Sequence, residues 1–222
     1  MKIYCFGDSI MAHDGHPYTC SPELNGDDVG KLCAGYPSML KKHLGLEVSA
    51  NFAVGGDRIA QQKEVILGQD FSDVDLVIIA VGVNDFSSGT PIGSIPDSRE
   101  TVHNHTFIGD YCTALDHIFQ SNPSVKVLLM TPLHRCTLHR TGDVPRNTID
   151  LRVHGQVLED FAQAILALGR FYACPVADLY GESGLNRFNL HRFTFEGVHP
   201  NNAGYEFICP PLIRKVREML LL

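Results

Sequence analysis

No stretch of this sequence approaches the roughly 20 consecutive apolar residues that a membrane-spanning helix needs, so no membrane partner is expected. A basic excess is also missing. Eighteen Lys and Arg stand against 25 Asp and Glu, a formal net charge of −7. Nucleic-acid recognition would need a clustered basic face, so no nucleic-acid partner is expected either. The seven cysteines form no Cys-x-x-Cys pair, and their number is odd. That removes the usual redox and zinc spacings and points to reduced, mostly buried thiols. Neither a metal nor another cofactor is expected. Gly-x-Ser-x-Gly is absent as well, which excludes the nucleophile elbow that this motif builds. Gly181-Glu182-Ser183-Gly184 comes closest, but its glycines are misplaced and Ser183 reads as loop. No signal-peptide pattern precedes the first apolar run, which follows directly on Met1-Lys2. A cytoplasmic, reducing location is the default expectation.

What is present is an ordinary globular composition, 222 residues with 44% hydrophobic and 19% charged. The length fits one α/β domain over 1–222, able to bury roughly 70–75% of its unfolded surface. Short apolar runs alternate with helical periodicity. Strands are predicted at Ile3–Phe6, Glu47–Ala53, Val74–Val81, Val125–Met130 and Cys174–Leu179. Helices are predicted at Ser38–Leu44 behind Tyr36-Pro37, from Asp57 to about Leu67, over 99–121, from Ile149 to about Phe171, and at Asn202–Leu222. His13–Lys31, Ser87–Asp97, Leu133–Asn147 and Gly181–Gly197 read as loops. The near-continuous apolar run Val74–Val81 suits a parallel strand covered on both faces. Such alternation builds βαβ units and a parallel sheet of about five strands.

Four segments carry chemistry. Gly7-Asp8-Ser9, Asn51 to Asp57 and Gly82-Val83-Asn84-Asp85 each follow a predicted strand, and Glu196 to Asn201 precedes the last helix. In a parallel sheet the carboxyl ends of the strands share one edge, so the first three segments must converge. Ser9 Oγ is the candidate nucleophile and His199 the candidate base. Glu196, three residues before His199, can fold back to orient it. A backbone carbonyl is the alternative orienter. Oxyanion donors would be the Ser9 N–H, the Gly56 N–H and the Asn84 side-chain amide. Asp8 reads as a hydrogen-bonding loop-former, and Asp85 as a cap for the following helix or a loop stabiliser.

These segments resemble the blocks of the SGNH hydrolases, also called GDSL-type esterases and lipases. Ser9, Gly56, Asn84 and His199 fall on that family's nucleophile, oxyanion and base positions in the right order, across nearly the whole chain. The resemblance implies an α/β/α three-layer sandwich of flavodoxin-like form and a metal-free ester hydrolase. One departure is Glu196, where the family usually carries Asp.

The resemblance further implies removal of a small, acetyl-type acyl group from a carbohydrate or similar polar alcohol. A lysophospholipase or thioesterase, an acyltransferase, or a non-catalytic carbohydrate-binding relative are the alternatives. The sequence is silent on oligomeric state. His134, Arg135, His139, Arg140 and Arg146 form a basic loop on an acidic chain. That loop is either solvated or, through Arg135 and Arg140, a substrate lip for an anionic or polyhydroxy ligand. His13 and His16 flank Asp14 and read as surface histidines rather than a metal site.

Overall fold

Strands β1 (Ile3–Gly7), β2 (Ala50–Asn51), β3 (Leu76–Ala80), β4 (Lys126–Met130) and β5 (Val176–Ala177) form one sheet in the order β2-β1-β3-β4-β5. Every neighbouring pair is parallel. The computed structural model describes residues 1–17, 28, 30–95, 105–136 and 152–221. Alternation along each strand sends successive side chains to opposite faces. On one face Phe6, Val77, Ile79, Val127 and Leu129 pack with α3 (Ile59–Leu67), α5 (Phe107–Ser121) and α6 (Leu158–Tyr172). On the other Ile3, Cys5, Leu76, Ile78, Leu128 and Met130 pack with α2 (Tyr36–Leu44), α9 (Asn202–Ile208) and α10 (Pro210–Leu220). Two covered faces make the α/β/α sandwich that the family resemblance implies, and they explain why β3 is apolar throughout.

The short helices matter most for the site. α1 (Ser9–Ala12) and α4 (Val83–Ser88) each start within three residues of a strand end. Both lie on the carboxyl edge of the sheet, beside the loop between β2 and α3. α7 (Leu179–Glu182) and α8 (Leu190–Phe193) follow β5.

Several boundaries differ from expectation, each for a local reason. The β2 ladder covers only Ala50 and Asn51, paired with Tyr4 and Cys5. Residues 83–88 are helical where a loop was expected from Ser87, and 179–193 holds two one-turn helices. α5 begins at Phe107, where Thr106 Oγ1 accepts the Gly109 N–H at 3.1 Å. Before α6, Val153 and Gln156 bond each other twice at 2.9 Å around His154 and Gly155, both at positive φ. That tight turn keeps 153–156 out of the helix, which starts at Leu158, and the expected start at Ile149 lies outside the described residues. The single closing helix is two, because Pro210 and Pro211 have no N–H to continue α9 beyond Cys209. Most of the long loop 13–31 lies outside the described residues, as do His139, Arg140 and Arg146.

Candidate active site

β1 ends at Gly7, and Asp8 caps α1 by accepting the Ile10 N–H on Oδ1 at 3.0 Å. This brings Ser9, the first residue of α1, to the carboxyl edge, half-buried. Across from it, residues 194–200 close a small hairpin. Thr194 and Pro200 form an isolated bridge, and the Phe195 N–H bonds the His199 carbonyl at 2.9 Å. At its tip Gly197 has φ 87°, and a Cβ there would lie 2.5 Å from the Cys136 carbonyl oxygen. Only glycine fits, and the Cys136 N–H bonds the Gly197 carbonyl in return at 2.9 Å.

The hairpin turns Glu196 back onto His199. Glu196 Oε1 accepts both the His199 backbone N–H, at 3.1 Å, and the ring Nδ1–H. An ionised carboxylate only accepts, so Nδ1 carries the ring proton and Nε2 presents its lone pair. Nε2 lies 2.7 Å from Ser9 Oγ. Burial pushes the Glu196 carboxyl up, but the hydrogen bonds and charge of His199 outweigh it and hold the group below its ordinary value. Serine, histidine and carboxylate thus form one hydrogen-bonded line.

Beside it lies the glycine-rich turn after β2. A Cβ on Gly55 would stand 3.8 Å from the Ser9 Cβ, so this turn abuts the serine. Gly56 has φ 87° with open space around it, so the backbone angle rather than crowding calls for glycine there. The N–H groups of Ser9 and Gly56 have no partner among the described residues. Asn84, the second residue of α4, donates one amide hydrogen to the Asp57 carbonyl at 3.0 Å. Its second amide hydrogen has no partner among the described residues.

One organising residue has no motif in the sequence. Gln62, fully buried on α3, accepts the Gly7 N–H on Oε1 at 3.1 Å. Its Nε2 donates to the Phe52 carbonyl at 3.3 Å and to Asp57 Oδ2 at 2.8 Å. It therefore ties the end of β1 to the glycine turn, and through Asp57 to Asn84. Helical spacing alone marks Gln62 as one polar residue on a buried face, which gives no hint of this role.

Two carboxyls are buried here. Burial pushes Asp8 up to about 7, against the Ile10 N–H and the charge of His199. Asp85 is pushed up to about 6 by the same cause, with the Ile59 N–H opposing. Asp85 caps α3 rather than the helix it sits in, accepting the Ile59 N–H at 3.1 Å.

His13 is not a plain surface histidine. Its ring centroid lies 5.2 Å from that of His199, tilted by 37°. Burial and the His199 charge lower its basicity, with Glu196 opposing. Asp14 accepts the Ser38 N–H near the start of α2, at 3.2 Å. Among the described residues no group of three or more His, Cys, Asp or Glu is arranged to hold a metal. Arg135 is half-buried, donates Nη1–H to Ser87 Oγ, and lies 5.8 Å from the Phe86 ring centroid. Arg140 is outside the described residues. No described helix is long and apolar enough to cross a membrane.

The sequence model of the GDSL-like Lipase/Acylhydrolase family matches residues 5–207. Among solved structures, a possible lipase from Chitinophaga pinensis aligns with a TM-score of 0.76 at 24% identity, covering 100% of this chain and 99% of that one. A lipase/acylhydrolase from Enterococcus faecalis gives 0.61 at 20% identity, over 99% and 97%. An acetylxylan esterase from Geobacillus stearothermophilus gives 0.59 at 18% identity, over 97% and 93%. At these identities the likeness is one of fold. No curated protein matches the sequence significantly.

Proposed function

The chain belongs to the GDSL-like Lipase/Acylhydrolase family and is a carboxylic ester hydrolase, and from that premise we propose a single-domain serine esterase that works through an acyl-enzyme. Ser9 Oγ attacks the acyl carbon while its proton passes to His199 Nε2. The bond to the alcohol oxygen breaks, and that oxygen takes the proton from Nε2. Water then attacks the acyl carbon, gives its proton to Nε2, and releases the carboxylic acid as Ser9 recovers its hydrogen. Glu196 keeps the His199 ring in the tautomer this requires and stabilises its cation. The Ser9 N–H, the Gly56 N–H and the second amide hydrogen of Asn84 Nδ2 hold the oxyanion, a role that suits N–H groups left without partners among the described residues.

The observation that carries this reading is the 2.7 Å contact between Ser9 Oγ and His199 Nε2, with Glu196 on the far side of the ring. A small acyl group on a carbohydrate or other polar alcohol is the preferred substrate. Its support is the fold-level likeness to an acetylxylan esterase and the exposure of Gly55 and Gly56 beside the serine.

Labelling with a fluorophosphonate, followed by peptide mapping, tests the nucleophile. The label should sit on Ser9, and Ser9→Ala should lose on the order of 10⁴-fold or more in kcat on an acetyl ester. A label elsewhere, or a small loss, overturns the mechanism. A series of 4-nitrophenyl esters tests acyl size. Rates should fall from acetyl to octanoyl, and a rise would point to a lipid or thioester substrate instead.

A further inference from the structure

Arg135 is an anomaly that catalysis leaves unexplained. A half-buried guanidinium normally meets a carboxylate, because desolvating an unpaired charge is costly. Among the described residues Arg135 forms no ion pair. One of its N–H groups goes to the neutral Ser87 hydroxyl and its flank to Phe86, which leaves most of the donor fork unused.

Its position ties it to the reacting groups from two sides. Ser87 lies three residues after Asn84 on α4, so the two share a helix face. The next residue in the chain, Cys136, is bonded to Gly197, between Glu196 and His199. Glu196 is also the carboxylate whose charge Arg135 feels. In the acyl transfer proposed above, the carbonyl oxygen turns to Asn84 and Gly56. The leaving alcohol must face His199, which protonates it. Arg135 spans the two, its guanidinium on α4 and its neighbour Cys136 on the hairpin of Glu196 and His199. With an acetyl-sized acyl group, only the alcohol half is large enough to carry a further charged group to it.

We propose that Arg135 recognises a carboxylate carried on the alcohol half of the ester, as in an O-acetylated uronic acid. This rests on the esterase reading of Ser9 and His199. Planar, two-pronged pairing would select a carboxylate over a neutral hydroxymethyl group at the same position. On a chain of net charge −7, such a cation also offsets the repulsion an anionic substrate meets.

The test uses two esters, methyl O-acetyl-glucuronoside and methyl O-acetyl-glucoside, which differ only in the carboxylate. The kcat/KM ratio of acidic to neutral ester should be about 10 to 100 in the unaltered enzyme, the range of a charge-assisted hydrogen-bond pair. It should fall towards one in Arg135→Gln and take an intermediate value in Arg135→Lys, which keeps the charge but not the fork. A ratio near one in the unaltered enzyme, or a ratio that Arg135→Gln leaves unchanged, overturns the proposal. Calorimetric titration with methyl glucuronoside and methyl glucoside separates this from the parent reading. Preferential binding of the acid that needs Arg135 supports recognition even if neither ester is hydrolysed, and equal binding of both sugars refutes it.

Discussion

At the edge where the strands begin, polar groups meet partners. Lys2 Nζ pairs with Asp73 at 2.7 Å, and its N–H reaches Asp75 Oδ2 at 2.6 Å. Lys126 Nζ bonds the Met219 carbonyl at 2.6 Å, and Asn122 ties the Phe71 and Val74 carbonyls together. At the edge where the strands end, the pattern reverses. Asp8 and Asp85 are buried with raised pKa values, and among the described residues two backbone N–H groups lack partners and a half-buried guanidinium forms no ion pair. The same five strands serve both edges. What differs is what their ends are asked to hold. Groups kept under-partnered at one edge are available to a ligand, and the tolerance for them comes from the well-satisfied remainder.

Three substitutions probe that contrast, from the largest expected effect to the smallest. Asn84→Ala removes one proposed oxyanion donor and should lower kcat by about 10²–10³-fold with little change in KM. Gln62→Met leaves the Gly7 N–H without its acceptor and frees the glycine turn, so kcat should fall by up to about 10²-fold. Combined with Asn84→Ala, its effect should be far less than additive, because both side chains bond Asp57 beside the proposed oxyanion site. Full additivity in the double-mutant cycle would make Gln62 a stability residue only. At the opposite edge, Lys2→Ala should leave kcat unchanged and barely move the melting temperature. A large loss there would erase the contrast.

The buried carboxyl gives a pH test. The folded-state pKa of Asp8, about 7, lies above its ordinary 3.8. Its contribution to stability is therefore fully present below pH 4 and is lost as pH rises through 7. Relative to Asp8→Asn, the unaltered protein should lose stability across that window, by at most about 4 kcal/mol. Denaturant titrations of both proteins at several pH values measure it. A constant difference would mean that Asp8 ionises like an exposed carboxyl.

Much of the fold is legible in residue pattern. β3 announces itself because a strand covered on both faces must be apolar at every position. α2 is bracketed by Pro37 and Gly45, whose φ of 69° ends it. Boundaries set by tertiary contact are not legible. The turn at His154 and Gly155 ahead of α6 is held from a distance, by the Gln156 side-chain amide on the Thr90 carbonyl at 3.1 Å. In the site, Ser9, Gly56, Asn84, Glu196 and His199 stand out by motif, since their chemistry restricts residue type. His13 and Gln62 carry no motif. Any histidine at the end of α1 and any glutamine on α3 would look the same in sequence.

The sequence by itself determined the alternation of strands and helices, the parallel sheet, and the short segments rich in Gly, Asp and Asn at strand ends. These follow from local periodicity and from glycine's freedom, properties each segment carries alone. Only the tertiary structure decided that Ser9 and His199, 190 residues apart, meet at 2.7 Å, and that Glu196 lies behind the ring. Only it set Gln62 between two loops and, among the described residues, left Arg135 without a carboxylate in ion-pair contact. Those facts depend on distances between segments, which are fixed when the sheet closes against its two helical layers.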